Sequence, residues 1–464
     1  MKKRTWKKAV AISLTMAMSM SLVACGDKAD SGNGKGDDNT EDVGVTIDSI
    51  KLGEDYTDIK ADLKFLTHKT DVVDTKFKDY ITEFQKMYPN VNIEYEGITN
   101  YADDIITRLT TGDWGDICMI PPSVDKDELG NYFAKLGDKS KLAETYDERF
   151  LEQYSFEGTS YGAPSMVNVQ GIVYNKKVFE QAGINELPKT PDEFLDALDS
   201  IKSKTDAIPL YTNFAAGWTM TAWDAYIDGG ATGDPDFVNT GLTKGENPFS
   251  DRGDGTGPYA VYNTLYEAVK RGYTEDDPTT TDWEGCKGMI NRGEIGCMAL
   301  GSWAIVQMQS AGDNGDDISY MPFPISVSGK QYIAAGGDYN YGINGNSSKD
   351  NQIAAMCYIK WLVEKSGFAQ SEGGLSVVLG DEVPAALETI STIDFVVNNP
   401  APDEEATLFN DVNNESELGI NSSGAIPKEI VEQATMSGGK TMEDMVKEWN
   451  EKWTAAQEEH GITH

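Results

Sequence analysis

The chain has 464 residues, 76 acidic and 39 basic, giving a formal net charge of −37. A body this acidic is repelled by phosphate backbones and anionic lipid, which excludes nucleic-acid binding and disfavours anionic ligands. Five cysteines without a Cys-x-x-Cys pair, and three histidines of which His460 and His464 lie at the very end, leave little for a zinc site or a histidine-based triad. P-loop and His-Glu-x-x-His motifs are missing as well. The expectation is therefore no metal and no cofactor. The acidic turns at Asp251–Gly255 and Asp313–Asp317 miss the spacing of a calcium loop.

At the start, Lys2, Lys3, Arg4, Lys7 and Lys8 precede an apolar stretch from Ala9 to Ala24, which ends Leu22-Val23-Ala24-Cys25. A charged region, a short apolar region and a small-residue cleavage site follow in that order. The stretch falls short of the roughly 20 apolar residues that span a bilayer. The run resembles the lipobox of a bacterial lipoprotein. That implies a signal peptide over residues 1–24, acylation of Cys25 and a lipid anchor on the extracytoplasmic face of the cell membrane, at a Gram-positive surface. Loss of the five basic leader residues takes the net charge from −37 to −42. Residues 25–60 carry low-complexity Gly, Asp, Asn, Ser and Lys, and read as a flexible acidic tether. Cys118, Cys286, Cys297 and Cys357 sit in apolar runs, as buried free thiols do; disulfides stay open as the alternative.

Beyond residue 60 the chain alternates. Residues 61–67 read as a strand, and 74–88 as a helix with Phe77, Tyr80, Ile81, Phe84 and Met87 at helical spacing, closed by Pro89. Strand 91–97, helix 103–110 and strand 116–120 follow. Such strand-helix-strand units favour a doubly wound parallel sheet. A strand-like run containing a turn covers 162–176. Helix 191–202 has Pro191 in its first turn and Thr190 as its cap. A strand over 208–211, a helix over 284–291 and a strand over 295–300 come next. Helices over 352–365 and 442–457 close the chain.

Four segments in this order carry a resemblance. They are Phe77–Phe84 leading to Tyr88-Pro89-Asn90-Val91; Gly158–Pro164 with Tyr174-Asn175-Lys176 and Pro188-Lys189-Thr190; Gly293–Met298 with Gly301-Ser302-Trp303; and Gly336-Gly337-Asp338 with Tyr341-Gly342-Ile343. Together they resemble the family 1 extracellular solute-binding proteins of carbohydrate ABC transporters, the maltose-binding-protein-like group. The match covers roughly 61–455. It implies an α/β fold of two lobes, each a doubly wound sheet with flanking helices, joined by crossovers near 168–173, 334–339 and 376–380. The implied N-lobe is 61–169 plus 338–377, and the C-lobe 170–337 plus 378–464. Gly115 departs from the proline common in relatives, which bears on the loop it occupies.

The resemblance implies a sugar ligand between the lobes. A sugar offers C–H faces that stack on flat rings and hydroxyls that need donors and acceptors. Trp303, after Gly301-Ser302 at the carboxyl end of an apolar strand, is the leading candidate, and in relatives the equivalent position stacks on a pyranose. Trp218, Trp223 and Asn213 follow the 208–211 strand. Trp283 precedes a helix, and Trp114 sits on a Gly-flanked loop beside Asp116. Polar candidates are Asp116, His68 and Asp71, with Asp338 and Tyr339 at a crossover; Gln170 is a weaker one. Core packing is the competing reading for each tryptophan, and simple solvation for each carboxylate. The function expected is a monomeric, non-enzymatic lipoprotein that captures a neutral oligosaccharide and passes it to an ABC permease. The alternatives are a sugar-sensing lipoprotein serving a membrane receptor, and a surface glycoside hydrolase with a carboxylate pair.

Overall fold

Residues 43–464 are described by the computed structural model. The leader, Cys25 and the first part of the tether lie outside the described residues. Two sheets organise the chain. The first has five strands in the order Val91–Gly97, Ala61–Thr67, Ile117–Met119, Tyr341–Ile343, Gly162–Ala163. Its first three strands run parallel, and the last two add antiparallel to them.

The second sheet has six strands. Asp394–Val396 pairs with Tyr332–Gly337, then come Val167–Asn175, Ile295–Gly301 and Ile208–Leu210, while Ile318–Pro322 pairs with the later part of Val167–Asn175. The strand-helix-strand units expected from the alternating pattern supply the parallel pairs of the first sheet and that of Ile208–Leu210 with Ile295–Gly301, while Asp394–Val396 joins Tyr332–Gly337 in parallel after the chain has passed through the other sheet. The antiparallel strands enter where the chain returns from the other sheet, so both sheets are mixed.

The chain passes between the sheets three times. It leaves Gly162–Ala163 for Val167–Asn175, returns from Tyr332–Gly337 to Tyr341–Ile343, and crosses again beyond Leu375, whose N–H and carbonyl both pair with Val167.

Flanking helices follow the apolar spacing. Lys76–Phe84 buries Phe77 and Phe84. Lys349–Glu364 packs on Ala61–Thr67 and Tyr341–Ile343. Pro191–Lys204 starts at Pro191, and the Thr190 hydroxyl accepts the Glu193 N–H at 3.3 Å. Met442–Glu459 opens with a capping box formed by Thr441 and Asp444.

The tether ends sooner than residue 60. Val43, Ile47 and Ile50 are buried in the same core as the first sheet, and the Ile47 N–H donates to the Leu136 carbonyl at 2.8 Å. A few aliphatic side chains are enough to draw this polar segment into the body. Gly115 has φ of +81°, a left-handed conformation closed to proline. Its carbonyl accepts from Asn344 Nδ2 at 2.7 Å. The departure at this position is thus a differently shaped loop. The four cysteines of the body are free and buried.

Candidate ligand-binding site

Three indoles from three separate segments meet beside the carboxyl end of the second sheet. Trp303 follows Ile295–Gly301, Trp218 follows Ile208–Leu210, and Trp283 opens the helix Trp283–Asn291. Ring centroids are 5.1 Å apart for Trp218 and Trp283, 5.7 Å for Trp218 and Trp303, and 5.6 Å for Trp283 and Trp303. Interplanar angles of 77°, 42° and 60° make the group a corner rather than a flat shelf. Trp218 is 52% exposed, and the other two are half-buried.

Local structure sets each ring. The Asp282 N–H donates to the Tyr211 hydroxyl at 2.9 Å, which ties the start of the Trp283 helix to the 208–210 strand. Lys287 Nζ lies 4.8 Å from the centre of the Trp283 ring. Ser302 and Val169 exchange bonds: the Ser302 N–H donates to the Val169 carbonyl at 2.9 Å, and the Val169 N–H donates to Ser302 Oγ at 3.2 Å. The residue before Trp303 is thereby fastened to a strand that leaves the first sheet. A Cβ on Gly301 would lie 2.5 Å from Trp303 Nε1 and 3.3 Å from Gln170 Oε1, so ring and carboxamide both crowd this bare stretch of backbone.

A polar pocket forms at the carboxyl end of the first sheet. His68 and Lys69 leave the strand Ala61–Thr67, and Asp338 and Tyr339 come from the second passage between sheets. Lys69 Nζ is 3.2 Å from Asp338 Oδ2, and His68 Nε2 is 3.9 Å from Asp338 Oδ1. Tyr339 meets His68 edge to face, with centroids 4.8 Å apart. Tyr101 lies 5.7 Å from Tyr339. Burial holds the His68 imidazole down to about 4, against the pull of Asp338, so the ring is neutral at neutral pH. Burial also works against the Lys69 ammonium, but Asp338 and then Glu372 lift it above the ordinary lysine value. For Asp338, burial acts upward and is outweighed by Lys69 and then His68, which hold the carboxyl low. The pocket's cation is thus already paired. His68 Nδ1 is buried without a hydrogen-bond partner.

The two groups lie along one strand. The Asp338 N–H donates to the Met166 carbonyl at 2.9 Å, and Gly301 is in register with Gln170. Four residues of extended chain separate those attachment points, about 13 Å.

Of the residues expected from sequence, Trp303, Trp218 and Trp283 come together, as do His68, Asp338 and Tyr339. Asp71 is exposed beyond His68, close enough for its charge to be felt by His68 and Lys69. Four expectations are corrected. Trp223 is 1% exposed and packs edge-on to Phe323 at 5.8 Å. Trp114 is buried against Phe133 at 5.6 Å. Asn213 is buried with φ of +59°, its Nδ2 donating to Met298 Sδ at 3.1 Å; it shapes the Trp218 loop from beneath, accepting at its carbonyl from Thr219 Oγ1 at 3.0 Å. Asp116 precedes the strand Ile117–Met119, at the amino end of the sheet. Its carboxylate accepts from the Lys64 N–H at 2.9 Å, from Ser347 Oγ at 2.7 Å and from Asn351 Nδ2 at 2.8 Å, which makes it a loop fastener.

Sequence reasoning misses Lys69, Tyr101 and Glu372. A lysine directly after an apolar strand, in so acidic a chain, was the signal available for the first. No group of three or more His, Cys, Asp or Glu side chains suited to a metal occurs among the described residues.

The family model described as bacterial extracellular solute-binding protein matches residues 69–367. The chain belongs to this family. The solute-binding protein is similar to a manno-oligosaccharide-specific solute-binding protein from Bifidobacterium animalis subsp. lactis, solved in complex with mannotriose. Identity is 46%, with 90% of this chain and 99% of that one covered, and the TM-score is 0.86. A binding protein of an ABC transporter from the same subspecies, solved with mannobiose, is 48% identical over 90% and 99% of the two chains, with a TM-score of 0.86. Among curated relatives, the diacetylchitobiose-binding protein of Streptomyces coelicolor is 30% identical over 44% of this chain and 45% of its own. The chain thus matches less than half the length of that relative.

Proposed function

We propose that this solute-binding protein captures a neutral oligosaccharide and hands it to an ABC permease, with short manno-oligosaccharides as the first ligand class to test. The observation that carries this reading is the convergence of Trp218, Trp283 and Trp303, one of them 52% exposed. Keeping so much aromatic surface in water is unfavourable unless something apolar covers it. A sugar's C–H face does that, while a hydroxyl suits the unpartnered His68 Nδ1 of the polar pocket. The pairing of Lys69 with Asp338 supports a ligand without charge. The likeness to the mannobiose and mannotriose complexes supports the mannose series.

The lobes we propose are residues 61–169 plus 338–377, with the buried residues of 43–60 packed on it, and 170–337 plus 378–464. Ligand binding shifts them from open to closed by its differential affinity for the closed form. Cys25 carries the lipid, the protein is a monomer, and no glycosidic bond is cut. Calorimetric titration against manno-, xylo-, cello- and malto-oligosaccharides tests the reading. Binding of mannobiose or mannotriose at about micromolar Kd or tighter is expected. Heat from no neutral glycan, or release of new reducing ends, would contradict it.

A further inference from the structure

Gly336 lies within the strand Tyr332–Gly337, in register with Asn168 of the antiparallel strand Val167–Asn175. Its backbone does not call for glycine. Its φ is outside the left-handed region, and a Cβ built there would meet no atom within 4 Å. Glycine inside a strand costs backbone entropy and packs nothing. Close approach by another molecule is the use that remains.

Directly opposed residues of an antiparallel pair share a face, so the open space over Gly336 is bordered by Asn168. Asn168 is 9% exposed, and its Oδ1 is buried with no hydrogen-bond partner. Two residues on, on the same face of the strand, Gln170 borders Gly301, as Trp303 does. Two residues past Gly336 stands Asp338 of the polar pocket. The bare stretch thus lies between the indole corner and that pocket.

We infer that Gly336 and Asn168 form a central sugar subsite: one pyranose lies against the bare backbone of Gly336 while a ring hydroxyl donates to Asn168 Oδ1. The inference rests on the oligosaccharide reading above. It makes Gly336 a determinant of which chains can run unbroken from the indoles to the pocket.

The test is calorimetry with mannotriose on the unsubstituted protein, Gly336→Val and Gly336→Ala, beside thermal unfolding without sugar. A Cβ finds open space there and valine suits a strand, so the Tm of a folded Gly336→Val protein is expected to stay level or rise. Mannotriose binding to Gly336→Val is expected to weaken at least about 30-fold, with Gly336→Ala in between. A folded Gly336→Val protein that binds within about twofold of the unsubstituted one overturns the subsite and leaves the sugar reading standing. If valine prevents folding, Gly336→Ala decides: about fivefold weaker supports the subsite, and parity overturns it. An unsubstituted protein that binds no neutral glycan overturns both.

Discussion

Trp218 keeps 52% of its surface in solvent while Trp223, five residues on, keeps 1%. Trp218 lies in the 3-10 turn Gly217–Met220 and Trp223 in the helix Thr221–Asp224, and over five positions the two turns carry the side chains to different faces. Two such indoles cannot face the same way: one reaches the corner with Trp283 and Trp303, and the other packs on Phe323. Substitution should separate them. Trp303→Ala is expected to weaken oligosaccharide binding about tenfold to a thousandfold at little cost in Tm, from 1.4 kcal/mol per decade. Trp223→Ala is expected to cost about 3–5 kcal/mol of stability through the cavity it leaves. Paired calorimetry and thermal denaturation check both. Residue type and strand-end position point to both tryptophans alike, which is why the sequence offers Trp218 and Trp223 as equals. Burial depends on helical phase in a loop whose turns are irregular, and the sequence does not display it. The same holds for Asp116, where strand polarity places the carboxylate at the amino end of its sheet.

The segment around Asp224 shows how an element is tied down. This buried carboxyl accepts from the Tyr262 hydroxyl at 2.9 Å and from the Asn421 N–H at 3.0 Å, joining the helix Thr221–Asp224, behind the Trp218 loop, to a loop near the C-terminal helices. Burial raises it from 3.8 to about 7, with the Asn421 N–H and the Tyr262 hydroxyl opposing. Between those values the folded state holds more protons than the unfolded chain. Its contribution is therefore complete at the acid side of the window and is lost as pH rises through 7. His68 has the opposite sign: held near 4 from 6.5, its contribution is lost as pH falls through that range. Asp224→Asn isolates the first term. Relative to this variant, the wild type should lose roughly 1–3 kcal/mol between about pH 5 and 8. Tm curves that run parallel across that range would contradict the assignment. Regular elements were legible because period and capping act locally, as in Pro191–Lys204 and Met442–Glu459. Mixed strand direction was not, since it depends on long returns from one sheet to the other.

Across the whole molecule, two sheets joined by three passages place indoles at one carboxyl edge and a paired His68–Lys69–Asp338 group at another. A net charge of −37 keeps such a body away from polyanions. We propose that Cys25 holds it at a membrane, and on that reading Cys25→Ala moves the protein from the membrane fraction to the medium. Retention of that variant at the membrane would contradict the lipid anchor. The family resemblance reaches this scale from the sequence because its four segments recur in order along the chain, whereas Lys69 and Glu372 join the polar pocket through burial and charge pairing across distant segments, which residue order does not display. The most direct test of the central claim is a crystal structure of the protein with mannotriose bound. A pyranose stacked on Trp303 and Trp218, with the chain running past Asn168 toward His68 and Asp338, is the predicted result. A sugar seated away from all three indoles, with none of their faces covered, would contradict it.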